Sequence, residues 1–214
     1  TKANLQKARK MPLLGDRLQL VHNGIEPVKT LSKLTVRKNL RAMCTIPATR
    51  RDVLWIGTIG ELLPNLGYYY AIDALASLSQ ELRKKIIYTI VGGGQQIEEL
   101  KKYVQDIGLG DVVFFAGFQE GAARLLSAFD IFLYTPVKVG LPYALLEAAS
   151  VALPVIATSV GGTPDIVEDM VGGILVRPKE SKEIAGALAL LIEDKDRREE
   201  YAKALHERVV RDFS

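Results

Sequence analysis

One cysteine and two histidines in 214 residues leave little material for metal or nucleophile chemistry. Cys44, being alone, excludes an internal disulfide and provides no metal cluster, so a reducing compartment fits; it is read as a small apolar filler. Nor does the chain hold a P-loop lysine, a Ser-His-Asp order or a metal-ligand spacing. No apolar run approaches the roughly 18 residues that span a bilayer, and no signal peptide is evident, so a soluble, cytoplasmic chain is expected. Charge of one sign is also scarce: 28 basic against 25 acidic residues give +3, too weak a bias to predict nucleic acid as a partner. What excess exists gathers early, at Lys2, Lys7, Arg9, Lys10, Arg37, Lys38, Arg41, Arg50 and Arg51. That permits contact with an acidic surface, although a solvated face of a segment once joined to another domain is the plainer expectation.

What is present is core. Hydrophobic residues make up 48% of the chain, enough for one substantial domain. Residues 1–17 are basic, lack a clear apolar face and carry breakers, which suggests a connecting segment; the domain is expected over 18–214. Leu18–His22 reads as a short strand closed by an Asn23-Gly24 turn, and His22, with no acid or nucleophile beside it, reads as structural. Thr35–Met43 reads as a short basic helix. From Asp52 a regular alternation begins. Short apolar strands are expected at 52–57, 86–91, 112–116, 131–134, 154–158 and 173–176. Helices are expected at 67–78, 95–107, 122–129, from about 142, at 181–193 and at 196–211. Strands of this length alternating with helices imply βαβ units and a doubly wound, Rossmann-like parallel sheet covered on both faces. In such a sheet the ligand crevice lies outside the carboxyl ends of the strands. Gly57, Gly92–Gly94, Gly117–Gln119, Pro136–Tyr143 and Ser159–Thr163 all fall there.

The stretch from Thr135 to Thr158 organises the rest. Gly140-Leu141-Pro142 marks a helix N-terminus after a strand, an arrangement receptive to anions. Tyr143 and Glu147, four apart, share a face, and Cα–Cβ bonds tilt toward the N-terminus, so the Glu147 carboxylate can lean back toward that mouth. An unpaired charge among Ala144, Leu145, Leu146, Ala148 and Ala149 is costly, which favours a ligand over a nearby N–H as its partner. A carboxylate there suits sugar hydroxyls better than phosphate. The triple glycine at 92–94 lacks the G-x-G-x-x-G spacing and reads equally as a tight strand-to-helix turn. Ser159–Thr163 is either a phosphate-facing backbone or another turn.

In order and spacing, VHNGI (21–25), WIGTIGELLPNLG (55–67), IVGGG (90–94), VVFFAGF (112–118), GLPYALLEAA (140–149), LPVIATSVGGTPDIVED (153–169) and GGILV (172–176) carry a resemblance. Together they resemble the C-terminal, donor-binding half of the retaining glycosyltransferase group that includes sucrose and glycogen synthases and many bacterial lipid and polysaccharide transferases. The resemblance implies one Rossmann-like half of a GT-B architecture, a nucleoside diphosphate sugar as donor, UDP- or GDP-linked, and no metal or other cofactor. It implies ribose binding at Glu147, base binding around Phe118, and diphosphate and sugar contacts along the backbone of Gly140, Leu141 and Tyr143, with Gly57, Thr58 and Gly93 in the same site. It also implies an N-terminal acceptor-binding domain that this chain lacks, carrying the usual catalytic histidine, and through that domain a peripheral contact with the inner membrane in the full-length parent. No catalytic residue is therefore expected here.

Several family positions are altered. The first glutamate of the family's Glu-x7-Glu element falls on Val139, and the usual arginine and lysine fall on Thr58 and Leu66. Gly93, Gln95 and Gln96 are neutral where acids are frequent. Two expectations follow. Either the chain is a donor half with unusual chemistry, or it is a degenerate or redesigned scaffold that binds nucleotide weakly or not at all.

Overall fold

The computed structural model describes residues 2–9 and 24–213. The strand and turn expected at 18–24, and His22, lie outside the described residues apart from Gly24. Six strands form one sheet: β1 (Leu54–Ile59), β2 (Ile86–Val91), β3 (Val113–Gly117), β4 (Ile131–Tyr134), β5 (Val155–Thr158) and β6 (Ile174–Val176). Every pairing is parallel, and the order is β3-β2-β1-β4-β5-β6. The chain starts in the middle, winds outward to β3, then returns to the other side of β1. The β1/β4 junction is therefore the topological switch point, where neighbouring connections leave on opposite faces and open a crevice.

The helices are α1 (Lys2–Arg9), α2 (Lys33–Met43), α3 (Tyr68–Ser77), α4 (Gln80–Lys84), α5 (Ile97–Asp106), α6 (Tyr143–Ser150), α7 (Thr163–Ile166), α8 (Ser181–Glu193) and α9 (Lys195–Asp212). Side chains alternate across the sheet and build two cores. Ile56, Tyr88, Ile90 and Leu133 pack with α3, α5 and α8 on one face. Trp55, Ile87, Val91 and Phe132 pack with α2, α6 and α9 on the other. This double coverage explains why β2 and β4 are buried along their whole length.

Several expectations need correction. Within the segment read as a connector, Lys2–Arg9 is helical, as its run of strong helix formers allows. The helix α4, absent from the sequence reading, is capped by Ser79, whose Oγ accepts from the Leu82 N–H at 3.3 Å. The helix expected at 122–129 is a 3-10 helix over 122–128, entered through Gly121 in the left-handed conformation. The basic face of α2 is turned partly inward. Arg37 donates to Asp130 at 2.6 Å and to the Ala128 carbonyl at 2.8 Å, and Arg37 and Arg41 lie 5.2 and 5.4 Å from the Trp55 ring centroid. Those arginines clamp α2 to the sheet.

Candidate functional site

The strand-to-loop boundary after β1 differs from the sequence reading. The strand continues through Ile59, so Gly57 and Thr58 are ladder residues, paired with Thr89 and Ile90. Gly57 serves packing: a Cβ there would fall 2.3 Å from the Phe129 ring. Thr58 is 3% exposed. Both were expected to meet ligand, and both are instead inside the sheet. The mouth begins at Gly60.

On the β1–β2–β3 side the mouth is made of backbone. The Gly60 N–H donates to the Val91 carbonyl at 3.0 Å, Leu62 N–H to Gly93 at 2.8 Å, and Gly92 N–H to Gly117 at 2.8 Å. Gly92 and Gly94 both have φ near +149°, and a Cβ on Gly92 would fall against the Gly60 carbonyl oxygen. Gly92 and Gly94 are thus required by the close approach of two loops, whereas a Cβ on Gly93 would meet only ordinary contacts, and a cleft of about 550 Å³ lies beside them. Gly93, Phe118, Gln119, Gly60, Glu61 and Ala122 line it. Phe118 is 78% exposed although its neighbours in β3 are buried. An exposed ring on a cleft wall is a platform for a flat partner.

On the β4–β5 side the mouth carries side chains with chemistry. The loop from Thr135 to Pro142 is stitched to both neighbours: the Val137 N–H donates to the Asn65 carbonyl at 2.8 Å, Thr135 Oγ1 to Gly67 at 3.2 Å, and the Gly162 N–H to Gly140 at 2.8 Å. Pro142 stands at the N-cap of α6 and offers no capping side chain, so no side chain of its own cap covers the first-turn N–H groups. Tyr143 opens the helix, 52% exposed. Glu147 follows one turn later, half-buried, with no hydrogen bond or ion pair to its carboxylate among the described residues. Burial holds its pKa above the ordinary carboxylate range. The helix that bears it packs on the 3-10 segment whose first residue, Ala122, lines the cleft.

The structure therefore brings Gly93 and Phe118 together on one side and Gly140, Leu141, Tyr143 and Glu147 on the other. Leu66 and Val139, the altered positions, are partly buried against the two cores. Gln119 lies in a loop the sequence placed at the crevice, while Gly60, Glu61 and Ala122 line the cleft without having been singled out. Among the described residues no group of three or more His, Cys, Asp or Glu could hold a metal ion, and no helix is long and apolar enough to cross a membrane. Cys44 packs against the core as filler, and burial pushes its thiol up to about 11.

A doubly wound parallel sheet of this order is Rossmann-like, the architecture of one half of a GT-B protein. Residues 45–208 match the family model for glycosyl transferases group 1, and the chain belongs to that family. It is 30% identical over 186 residues to the amylovoran biosynthesis glycosyltransferase AmsK of Erwinia amylovora, covering 82% of this chain and 42% of that protein. It is 24% identical over 184 residues to the Escherichia coli UDP-Gal:alpha-D-GlcNAc-diphosphoundecaprenol alpha-1,3-galactosyltransferase, with coverages of 84% and 46%. The chain thus spans about half the length of the curated relatives it matches. Among solved structures, HepE of Anabaena in complex with UDP-glucose superposes with a TM-score of 0.79 at 26% identity over 92% of this chain and 53% of that one. The C-terminal domain of the group 1 protein LpcC from Francisella tularensis superposes at a TM-score of 0.68 and 24% identity, covering 85% of this chain and 97% of that one.

Proposed function

We propose that this chain binds a nucleoside diphosphate sugar, UDP- or GDP-linked, as the donor half of a glycosyltransferase, and that by itself it transfers no sugar. The observation that carries the proposal is the pairing, at one sheet edge, of an exposed ring, Phe118, with a half-buried carboxylate, Glu147, that has no protein partner among the described residues. In this reading the base stacks on Phe118, the ribose hydroxyls donate to Glu147, and the diphosphate meets the first-turn N–H groups of α6 above Gly140, Leu141 and Tyr143. No metal is required. The chemistry of transfer, and the residue that assists it, belong to an acceptor-binding domain beyond this chain. Steady turnover of a nucleotide sugar onto an acceptor by this chain alone overturns that part.

A second reading, a scaffold without donor chemistry, is favoured by one observation: Thr58 is buried in β1, and Leu66 and Val139 are packed partly into the cores, so none supplies the expected charge. Calorimetric titration with UDP, GDP and their sugar conjugates, beside the double variant Leu66→Lys, Val139→Glu, separates the two. Micromolar binding by the chain as it stands supports the donor half. Binding by the variant alone supports a site that has been switched off, and binding by neither supports the scaffold.

A further inference from the structure

Between Glu26 and Asp52 the chain carries seven lysines and arginines and no acid. The fold neutralises part of that charge internally. Lys33 and Arg37 share Asp130 at 2.7 and 2.6 Å, and Arg50 meets Asp111 at 2.5 Å. Lys38 and Arg51 are exposed, and no hydrogen bond or ion pair engages either side chain among the described residues. Arg41 donates only to main-chain carbonyls, those of Pro47, Arg50 and Arg51, so its charge meets no carboxylate. These three cations and Arg37 line one groove of about 690 Å³ along the flank of α2, with a single acid, Asp52. Burial, and then the charges of Arg37 and Arg51, hold the Arg41 guanidinium below its ordinary pKa.

The same surface carries apolar groups in water. Leu34, in the first turn of α2, is 84% exposed, the most exposed large apolar side chain among the described residues. Lys38 stands four residues on and shares its face. Leu31, just ahead of the helix, is also exposed, while Val36 and Leu40 hold the opposite face to the core. Asp130 directly precedes β4 and Asp52 lies just before β1, so this surface stands at the amino ends of the strands, away from the mouth.

A basic surface fits an acidic protein or an anionic bilayer by charge alone, and the leucines decide between them. Against a protein, Leu34 would need a matching apolar pocket. Against a bilayer it needs none, because the boundary of the acyl region accepts any apolar group while the cations stay among the headgroup phosphates. We infer that the outer face of α2, with Leu31, Leu34, Lys38, Arg41 and Arg51, is a docking surface for an anionic lipid bilayer. The chain lies on the lipid there, spans nothing, and keeps its mouth open to water. This contact belongs to the chain itself, and it is independent of the donor-half reading.

The test is flotation of the full chain with vesicles of phosphatidylglycerol mixed into phosphatidylcholine, beside vesicles of phosphatidylcholine alone. Binding to the anionic vesicles is expected to be at least about tenfold stronger at low salt and to fall as salt rises. Lys38→Gln with Arg51→Gln lowers it by about tenfold or more, as two surface cations should. Lys102→Gln with Lys182→Gln makes the same change in net charge on α5 and α8 and leaves binding nearly intact. Leu34→Ser lowers binding severalfold with the denaturation midpoint unmoved, since the side chain is in solvent. If both kinds of vesicle bind equally, or the two double variants lose equally, the inference is overturned. It is also overturned if the chain ignores the anionic vesicles, and retention by soluble polyglutamate would then assign the surface to an acidic protein.

Discussion

The two sides of the mouth are built on opposite plans. Around β1, β2 and β3 the loops press backbone on backbone, with glycines at 60, 92, 93 and 94 and a ring, Phe118, set on the edge. Around β4 and β5 the loop is stitched at both flanks and presents an unpartnered carboxylate and a cation. The first side is shaped by Gly92 and Gly94, which leave no room for a Cβ; the second presents the exposed Lys138 and Tyr143 and the half-buried Glu147. A site can thus lose or exchange charged contacts while its fold stays intact, which is the pattern of this sequence: family glycines kept, family charges altered.

Four substitutions or conditions strain that contrast, from the largest effect downward. Gly92→Val places a Cβ against the Gly60 carbonyl at a φ that side chains rarely adopt, so a loss of about 3 kcal/mol or more is expected in chemical denaturation. A near-normal midpoint for that variant breaks the claim that this side is sterically fixed. On the charged side, Glu147→Gln is expected to weaken nucleotide binding by about 2 kcal/mol, the scale of a hydrogen bond to an ionised group. Unchanged affinity in the same calorimetry removes the ribose assignment. Phe118→Ala is expected to cost about 1 kcal/mol of nucleotide affinity, at the low end for base–aromatic stacking, with the denaturation midpoint unmoved because the ring is largely in solvent.

The smallest effect is on pH dependence. Burial raises the folded pKa of Glu147, so the folded state binds this proton more readily than the unfolded chain does. The carboxylate's cost to stability is absent below its unfolded pKa and fully present above its raised folded pKa. Glu147→Gln removes that cost at neutral pH, and a small rise in Tm is expected. Nucleotide affinity runs the other way: it falls as pH drops through the raised pKa, at a higher pH than an ordinary glutamate would show. Equal melting of the two proteins at pH 7, with equal affinity profiles, removes the claim that Glu147 is held at a cost for a ligand.

Most of the fold was legible because its signals are local. Apolar runs placed β2 and β4 at their observed bounds, and the amphipathic spacing of Ser181–Glu193 did the same for α8. The errors have tertiary causes. A glycine after an apolar run reads as a strand's end, yet Gly57 is mid-strand because the ring of Phe129, 72 residues later, takes the room of its Cβ. Two expected site residues, Gly57 and Thr58, were misplaced by that one error. Arg37 and Arg41 read as a solvated face because nothing nearby in sequence announces Asp130 or Trp55. In contrast, Glu147 was visible from its apolar neighbours alone, since an ionisable group on an otherwise buried stripe needs a partner from somewhere.

The bonds that hold the β4–α6 loop are mostly main chain to main chain: Val137 and Lys138 to Asn65, Gly140 to Gly162. Such bonds are blind to side-chain identity. The loop behaves as a fixed socket in which residues 137 and 138 can be exchanged without re-tooling the frame, so a library randomised at those two positions would sample new donors on a constant backbone. Variation in the glycine loops of the other side would instead be spent mostly on proteins that do not fold.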